Sequence, residues 1–292
     1  MGEKKRLLIS FSGGRTSAYM MWWITHEWIH RHNFDIKIVF ANTGKEVEGT
    51  LQFVQKCADN WGLDIVWVEA SHRDKNGNPY SKKGWTVKHN IVDFETASRN
   101  GEPFKEMCSV LGIPSTNAPF CSDQLKRKVI ESYLKSEGWK ANSFYKAIGI
   151  RSDEVDRVNQ YYRRKKILYV LVSENPKTKL EIEVWFSSNT FNLEIHPDDG
   201  NCDNCWKKNL LDLCRNARRR PESFDWWQEV TDEFGQKAMR PAQEGMEPPF
   251  NFFRGNLSAN DIVRISQYDD EKIKKIAKAH KLDGCGESCE AY

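Results

Sequence analysis

Apolar positions along the chain fall into short, nearly continuous runs separated by amphipathic stretches. Leu7 to Phe11, Ile36 to Ala41, Asp64 to Val68 and Phe144 to Ile150 are long enough for strands buried on both faces, and the spacing predicts helices over Ala18 to Ile29 and Val47 to Trp61. Strands alternating with helices at these intervals form right-handed βαβ units, so the expected fold is α/β with a doubly wound, mostly parallel sheet. Tyr19, Met20, Trp22, Trp23 and Ile24 are expected to pack on that sheet. Residues 71 to 100 are polar and read as an excursion or lid. After Pro197-Asp198-Asp199-Gly200 the composition turns to cysteine, tryptophan and basic residues with helical spacing. The chain therefore divides into an α/β domain over residues 1–200 and a smaller helical, cysteine-bearing region over 201–292.

The first predicted strand runs into Ser10-Phe11-Ser12-Gly13-Gly14-Arg15-Thr16-Ser17 and then a helix. Gly13 and Gly14 let an oxyanion approach the backbone, and Ser12, Thr16 and Ser17 add hydroxyls beside the N–H groups that open the helix. The positive end of the helix favours phosphate. No Gly-Lys-Ser/Thr ending marks a Walker loop, and no third glycine completes a dinucleotide fingerprint.

Composition adds little to this picture: 292 residues, 39% hydrophobic and 29% charged, with a net charge of +3, describe an ordinary soluble chain that does not demand a polyanionic partner. Two basic runs, Tyr161-Tyr162-Arg163-Arg164-Lys165-Lys166 and Arg218-Arg219-Arg220, could touch one locally. Met1 to Arg6 lacks the pattern of a signal peptide and no apolar run is long enough for a bilayer, so a cytoplasmic protein without a membrane partner is expected. Eight cysteines in a reducing compartment point to metal or redox chemistry before a disulfide framework.

The Ser-Gly-Gly loop resembles that of the PP-loop ATP pyrophosphatase superfamily, with Arg15 where lysine is more usual, and four further segments are similar to the phosphoadenosine phosphosulfate reductase family. These are Asn42-Thr43-Gly44 with Glu46 and Thr50; Phe120-Cys121-Ser122-Asp123-Gln124-Leu125-Lys126; Gly149-Ile150-Arg151-Ser152-Asp153-Glu154 with Arg157; and Gly200-Asn201-Cys202-Asp203-Asn204-Cys205-Trp206-Lys207-Lys208, the last similar to phage-encoded members. The tail Cys285-Gly286-Glu287-Ser288-Cys289-Glu290 looks like the end of lambdoid-phage members. The resemblance implies an adenine nucleotide alpha-hydrolase-like fold binding ATP or phosphoadenylyl sulfate. Guanidinium forks suit tetrahedral oxyanions, so Arg151 and Arg157 join Lys126 around the sulfate or polyphosphate, while Asp153 and Glu154 orient them or hold a magnesium ion.

Cys202 and Cys205 form a Cys-x-x-Cys pair that, with Cys121, gives three of the four ligands of a tetrahedral centre. The resemblance implies a 4Fe-4S cluster, with zinc as the alternative. Ser122 replaces the second member of the Cys-Cys pair of cluster-bearing members. A fourth ligand would come from Cys289, Cys285 or Cys108. Cys285 is also a candidate nucleophile, although the surrounding residues match the family's Glu-Cys-Gly-Ile-His only loosely. Cys57 and Cys214 are expected in the core. His26-Glu27-Trp28-Ile29-His30 spells a metalloprotease pattern but has no third ligand downstream and lies at the helix end far from the loop.

Three functions follow. The first is sulfonucleotide reduction or related sulfur chemistry, drawing on a thioredoxin-type reductant. The second is an ATP-dependent adenylating sulfurtransferase acting on nucleic acid with an iron-sulfur cluster. The third is a nucleotide-binding module without turnover, against which the presence of Lys126, Arg151, Asp153 and Glu154 argues.

Overall fold

The computed structural model describes residues 4–73, 87–242 and 244–282. Its elements are β1 (Lys5–Phe11), α1 (Arg15–His26), β2 (Phe34–Asn42), α2 (Glu48–Trp61), β3 (Ile65–Ser71), β4 (Lys88–Val92), α3 (Glu102–Leu111), α4 (Lys128–Ser136), β5 (Tyr145–Ala147), β6 (Ile167–Leu168), α5 (Val170–Ser173), α6 (Lys179–Ser187), α7 (Leu210–Arg219), α8 (Asp225–Phe234), α9 (Ala259–Ile265) and α10 (Asp270–Ala279). The six strands lie in the order β4-β3-β2-β1-β5-β6. All neighbours are parallel except β3 and β4. This is an α/β fold with helices on both faces, compatible with a Rossmann-like arrangement.

The alternation of side chains along each strand divides the core. Leu7, Ile9 and Phe11 of β1, with Ile38 and Phe40 of β2, pack on Met20, Met21 and Ile24 of α1 and Phe53 and Val54 of α2. Leu8 and Val39 face the other way, toward Met107 of α3 and Val129 and Leu134 of α4. Parallel strands covered on both faces need apolar residues at both parities, which is why the sequence shows runs there. The composition shift after residue 200 coincides with a change to helices. Trp206, Leu213, Trp227 and Ile262 of that region belong to the same core cluster as Leu8 and Val39, so one continuous core joins it to the sheet.

Three boundaries differ from expectation. The polar stretch 71–100 contributes β4, an antiparallel edge strand in which Val92 pairs with Trp67. Only one side of an edge strand is paired and much of β4 is exposed, so its sequence carries no apolar run. α1 stops at His26, and Trp28–Arg31 forms a separate 3₁₀ turn. β5 is confined to Tyr145–Ala147, while Ile148 and Ile150 beyond it pack on Ile167 and Tyr169. No described helix is long and apolar enough to cross a membrane.

Candidate anion cradle at the carboxyl ends of the strands

β1 ends at Phe11 and α1 begins at Arg15, leaving three residues for the turn. Gly13 makes that turn at φ +78°, where a side chain would strike Thr50 Cγ2 at 2.6 Å. Gly14 caps α1 in an extended conformation without a side-chain bond. The helix's opening N–H groups therefore lack the side-chain acceptor that Ser, Thr or Asp would supply from the cap. The hydroxyls of Ser12 and Ser17 are 2.8 Å apart across the turn, and Ser17 also donates to the Gly14 carbonyl at 3.1 Å. Asn201 Nδ2 donates to the Ser12 carbonyl at 2.8 Å, tying the turn to a segment 189 residues away in the sequence.

The segment after β5 closes one side of this turn. A Cβ at Gly149 would lie 3.1 Å from Ser17 Cα and 3.2 Å from its nitrogen, so glycine permits the approach. Arg151 Nη1 then reaches Thr16 Oγ1 at 3.2 Å and Glu154 Oε2 at 3.3 Å, while its Nε donates to Asp153 Oδ1 at 2.9 Å. Glu154 is buried, accepts from the Arg151 backbone N–H, and also pairs with Arg157. Burial is the largest single influence on Asp153 and raises its pKa, but the Arg151 hydrogen bond and charge, together with backbone hydrogen bonds, hold its carboxyl below the usual carboxylate range. The two acids thus orient Arg151 beside the opening of α1, and Glu154 also holds Arg157.

On the other side, β2 leads into a loop folded around Glu46. Its Oε2 accepts from the Thr43 N–H and hydroxyl, both at 2.8 Å, and its Oε1 lies 3.7 Å from Lys126 Nζ and 3.5 Å from Cys202 Sγ. Lys126 belongs to a π-helical turn, Asp123–Arg127, that leads into α4 and carries the lysine inward. Ser10, Ser12 and Lys126 line one small cleft at the ends of β1 and β2. Gly44, at φ +77°, lets the loop pack on Pro103 and Gly101. Burial lowers the Lys45 pKa against the opposing pull of Asp203, Cys202 and Glu46, and its ammonium lies 4.5 Å from the centre of the Trp226 ring.

Two residues expected on the nucleotide have their side chains committed elsewhere. Asn42 is fully buried, donates to Glu69 Oε1 at 2.6 Å and to the Ser98 carbonyl at 2.8 Å, and accepts from the Gly44 N–H. Arg15 Nε and Nη2 bind Asn192 Oδ1 at 2.7 Å and the Leu193 carbonyl at 2.6 Å, which makes it a clip on a distant loop. Sequence reasoning missed Glu69, which also accepts from Ser98 N–H and hydroxyl at the carboxyl end of β3. A carboxylate ending an apolar strand run was the available signal.

The cysteine segments approach the cradle without forming a metal centre among the described residues. Cys202 forms an antiparallel bridge with Glu46, and Lys207 Nζ donates at 3.1 Å to Ser122, the neighbour of Cys121. The expected trio of Cys121, Cys202 and Cys205 is nevertheless not gathered into a metal-holding group: no set of three or more His, Cys, Asp or Glu is so arranged among the described residues. The Cys202 thiol is turned to Glu46. Cys285 and Cys289 lie outside the described residues. Cys108 is fully buried, and that burial, with Cys121 nearby, holds its thiol protonated. Cys57 and Cys214 are core residues as expected. In the His26 to His30 segment, the His26 ring stacks on Trp22 and His30 falls in the 3₁₀ turn, so the two are not successive turns of one helix.

No family model matches the chain, and no solved structure does. The chain is similar to the uncharacterized nin region protein ORF290 of Escherichia phage lambda, with 27% identity over 292 residues, covering 98% of this chain and 94% of that protein.

Proposed function

We propose that the chain binds an adenine nucleotide at the Ser12–Ser17 turn and belongs with the phosphoadenosine phosphosulfate reductase family, acting in sulfonucleotide reduction or closely related sulfur chemistry. The observation that carries this reading is the convergence on one helix opening of a glycine turn, the Arg151 guanidinium at Thr16 and the Gly149 approach to Ser17. A phosphate or sulfate placed there would receive first-turn N–H groups of α1, the Ser and Thr hydroxyls and the Arg151 fork. Lys126 would add a point charge from the adjoining cleft. Asp153 and Glu154 would keep Arg151 aimed, and Asn201 would keep the turn closed. In the reductive reaction a cysteine thiolate attacks the sulfonyl sulfur, the adenosine bisphosphate leaves with the bridging electron pair, and a thioredoxin-type dithiol releases sulfite as it is oxidised. The cysteines among the described residues do not fit a cluster.

Titration calorimetry with ATP, adenylyl sulfate and phosphoadenylyl sulfate, run beside assays for sulfite and pyrophosphate, tests the proposal. Arg151→Ala should weaken the bound nucleotide by about ten- to a hundredfold, the range expected for loss of charge-assisted bonds. Wild-type affinity in that variant would remove Arg151 from the site. Absence of binding by all three nucleotides would overturn the reading. Pyrophosphate without sulfite would redirect it to adenylation.

A further inference from the structure

The two basic runs of the sequence meet different fates in the fold. In the second, Arg218 pairs with Asp270 at 2.6 Å, Arg219 with Asp199 at 2.7 Å and Arg220 with Asp203 at 2.9 Å, so its charge is neutralised within the molecule. In the first, Arg163, Arg164 and Lys165 are exposed, and neither they nor Lys166 forms an ion pair with a described carboxylate.

This first run lies on a built turn. Tyr162 N–H donates to the Asn159 carbonyl at 2.9 Å, Tyr161 N–H to Asn159 Oδ1 at 2.9 Å, Lys165 N–H to the Tyr161 carbonyl at 3.0 Å, and Ile167 N–H back to the Tyr162 carbonyl at 2.8 Å. The Tyr162 ring packs on Tyr169, whereas Tyr161 is 56% exposed. Arg163 Nε donates to the Tyr162 hydroxyl at 3.1 Å, which steadies its guanidinium above the turn. Lys146 of β5, half-buried, has its pKa lowered chiefly by burial, against the pull of Glu131 and with smaller help from the positive charges of Arg127 and Lys165. The turn follows directly on the Ser152–Arg157 helical turn that holds Arg151.

A cluster of unneutralised cations with a free aromatic face has the chemistry of a backbone-tracking groove with a stacking platform. We propose that the Tyr161–Lys166 turn docks single-stranded nucleic acid, its phosphates on Arg163, Arg164 and Lys165 and an unpaired base on the Tyr161 ring. Paired bases hide their faces inside a duplex, so the exposed ring favours a single strand. The proposal does not rest on the nucleotide reading, since none of these residues takes part in the cradle.

Fluorescence anisotropy of the full chain with a labelled oligothymidylate tests it, with a duplex of the same length and heparin as competitors. Three phosphate contacts predict a log–log salt slope near about −2, so affinity should fall about fifteenfold between about 50 and about 200 mM salt. The Arg163→Ala, Arg164→Ala, Lys165→Ala triple variant should lose most of that slope, and Tyr161→Ala should weaken oligothymidylate about tenfold while Tyr161→Phe retains it. All four positions are exposed, so circular dichroism and melting should be unchanged, and nucleotide titration of the same variants should match wild type. No binding at low salt, full binding by the triple variant, or equal displacement by heparin with Tyr161→Ala indistinguishable from wild type would each overturn the proposal.

Discussion

Replacing Gly13 with alanine should destabilise the protein by more than the cost of its backbone conformation alone. The backbone stands at φ +78° there, a conformation that costs an L residue about 1–2 kcal/mol. The added carbon would sit 2.6 Å from Thr50 Cγ2 and 3.2 Å from Phe40 Cε2. Thr50 is fully buried on α2, and its β-branched side chain has little rotamer freedom with which to yield. Overpacking of this kind adds about 1–3 kcal/mol, giving a total of about 2–5 kcal/mol. Gly62 supplies the internal control, because it has φ +61° at the end of α2 and nothing within 4 Å of the place where a Cβ would go. Gly62→Ala should therefore cost only the backbone component, about 1–2 kcal/mol. Urea unfolding of both variants, read as a shift in midpoint at unchanged slope, separates the two effects. If Gly13→Ala is no more destabilising than Gly62→Ala, the close packing of the turn on α2 is not as described.

Two further outcomes follow from named groups. His72 is fully buried, and that burial, reinforced by the charge of Lys128 and opposed by a hydrogen bond with Gln124, lowers its pKa from 6.5 to about 4. The unfolded chain then binds the extra proton first, so stability is complete above about pH 6.5 and falls by about 3 kcal/mol as pH drops toward 4. His72→Leu should flatten that acid limb in urea titrations, and an unchanged limb would assign it to other groups. Asn201→Ala removes the donor to the Ser12 carbonyl and should cost about 1 kcal/mol of stability while loosening the turn. Calorimetry should then show nucleotide affinity reduced beyond what the stability change explains, and equal affinity would leave Asn201 a purely structural tie.

The sheet was legible because β1 and β2 are buried on both faces and had to be written as apolar runs. The Ser-Gly-Gly turn was legible because its two glycines answer to a positive φ and to the crowding of Asn201 against Gly14. β4 was hidden because an exposed edge strand needs no apolar pattern, and β5 was overextended because Ile148 and Ile150 are apolar for a small cluster of their own. Side-chain direction was the other gap. Asn42 and Arg15 occupy motif positions, yet their partners are Glu69, Ser98, Asn192 and Leu193, none of which is near them in sequence. A one-dimensional pattern records that a polar residue follows a strand. It does not record whether that residue turns toward a ligand or toward a neighbouring loop.

The Arg15 clip has a consequence for the order in which the molecule comes into being. The turn at residues 12–17 is fastened by Asn192, Leu193 and Asn201, 177 to 189 residues later in the sequence. Long-range closures of this kind are formed late, because the intervening chain must first be ordered. A nascent chain that has not yet reached Asn192 would hold β1 and α1 without the bonds that shape the space between them. The shape of the cradle is thus a property of the whole stretch from Ser12 to Asn201 rather than of the Ser-Gly-Gly segment that marks it in the sequence.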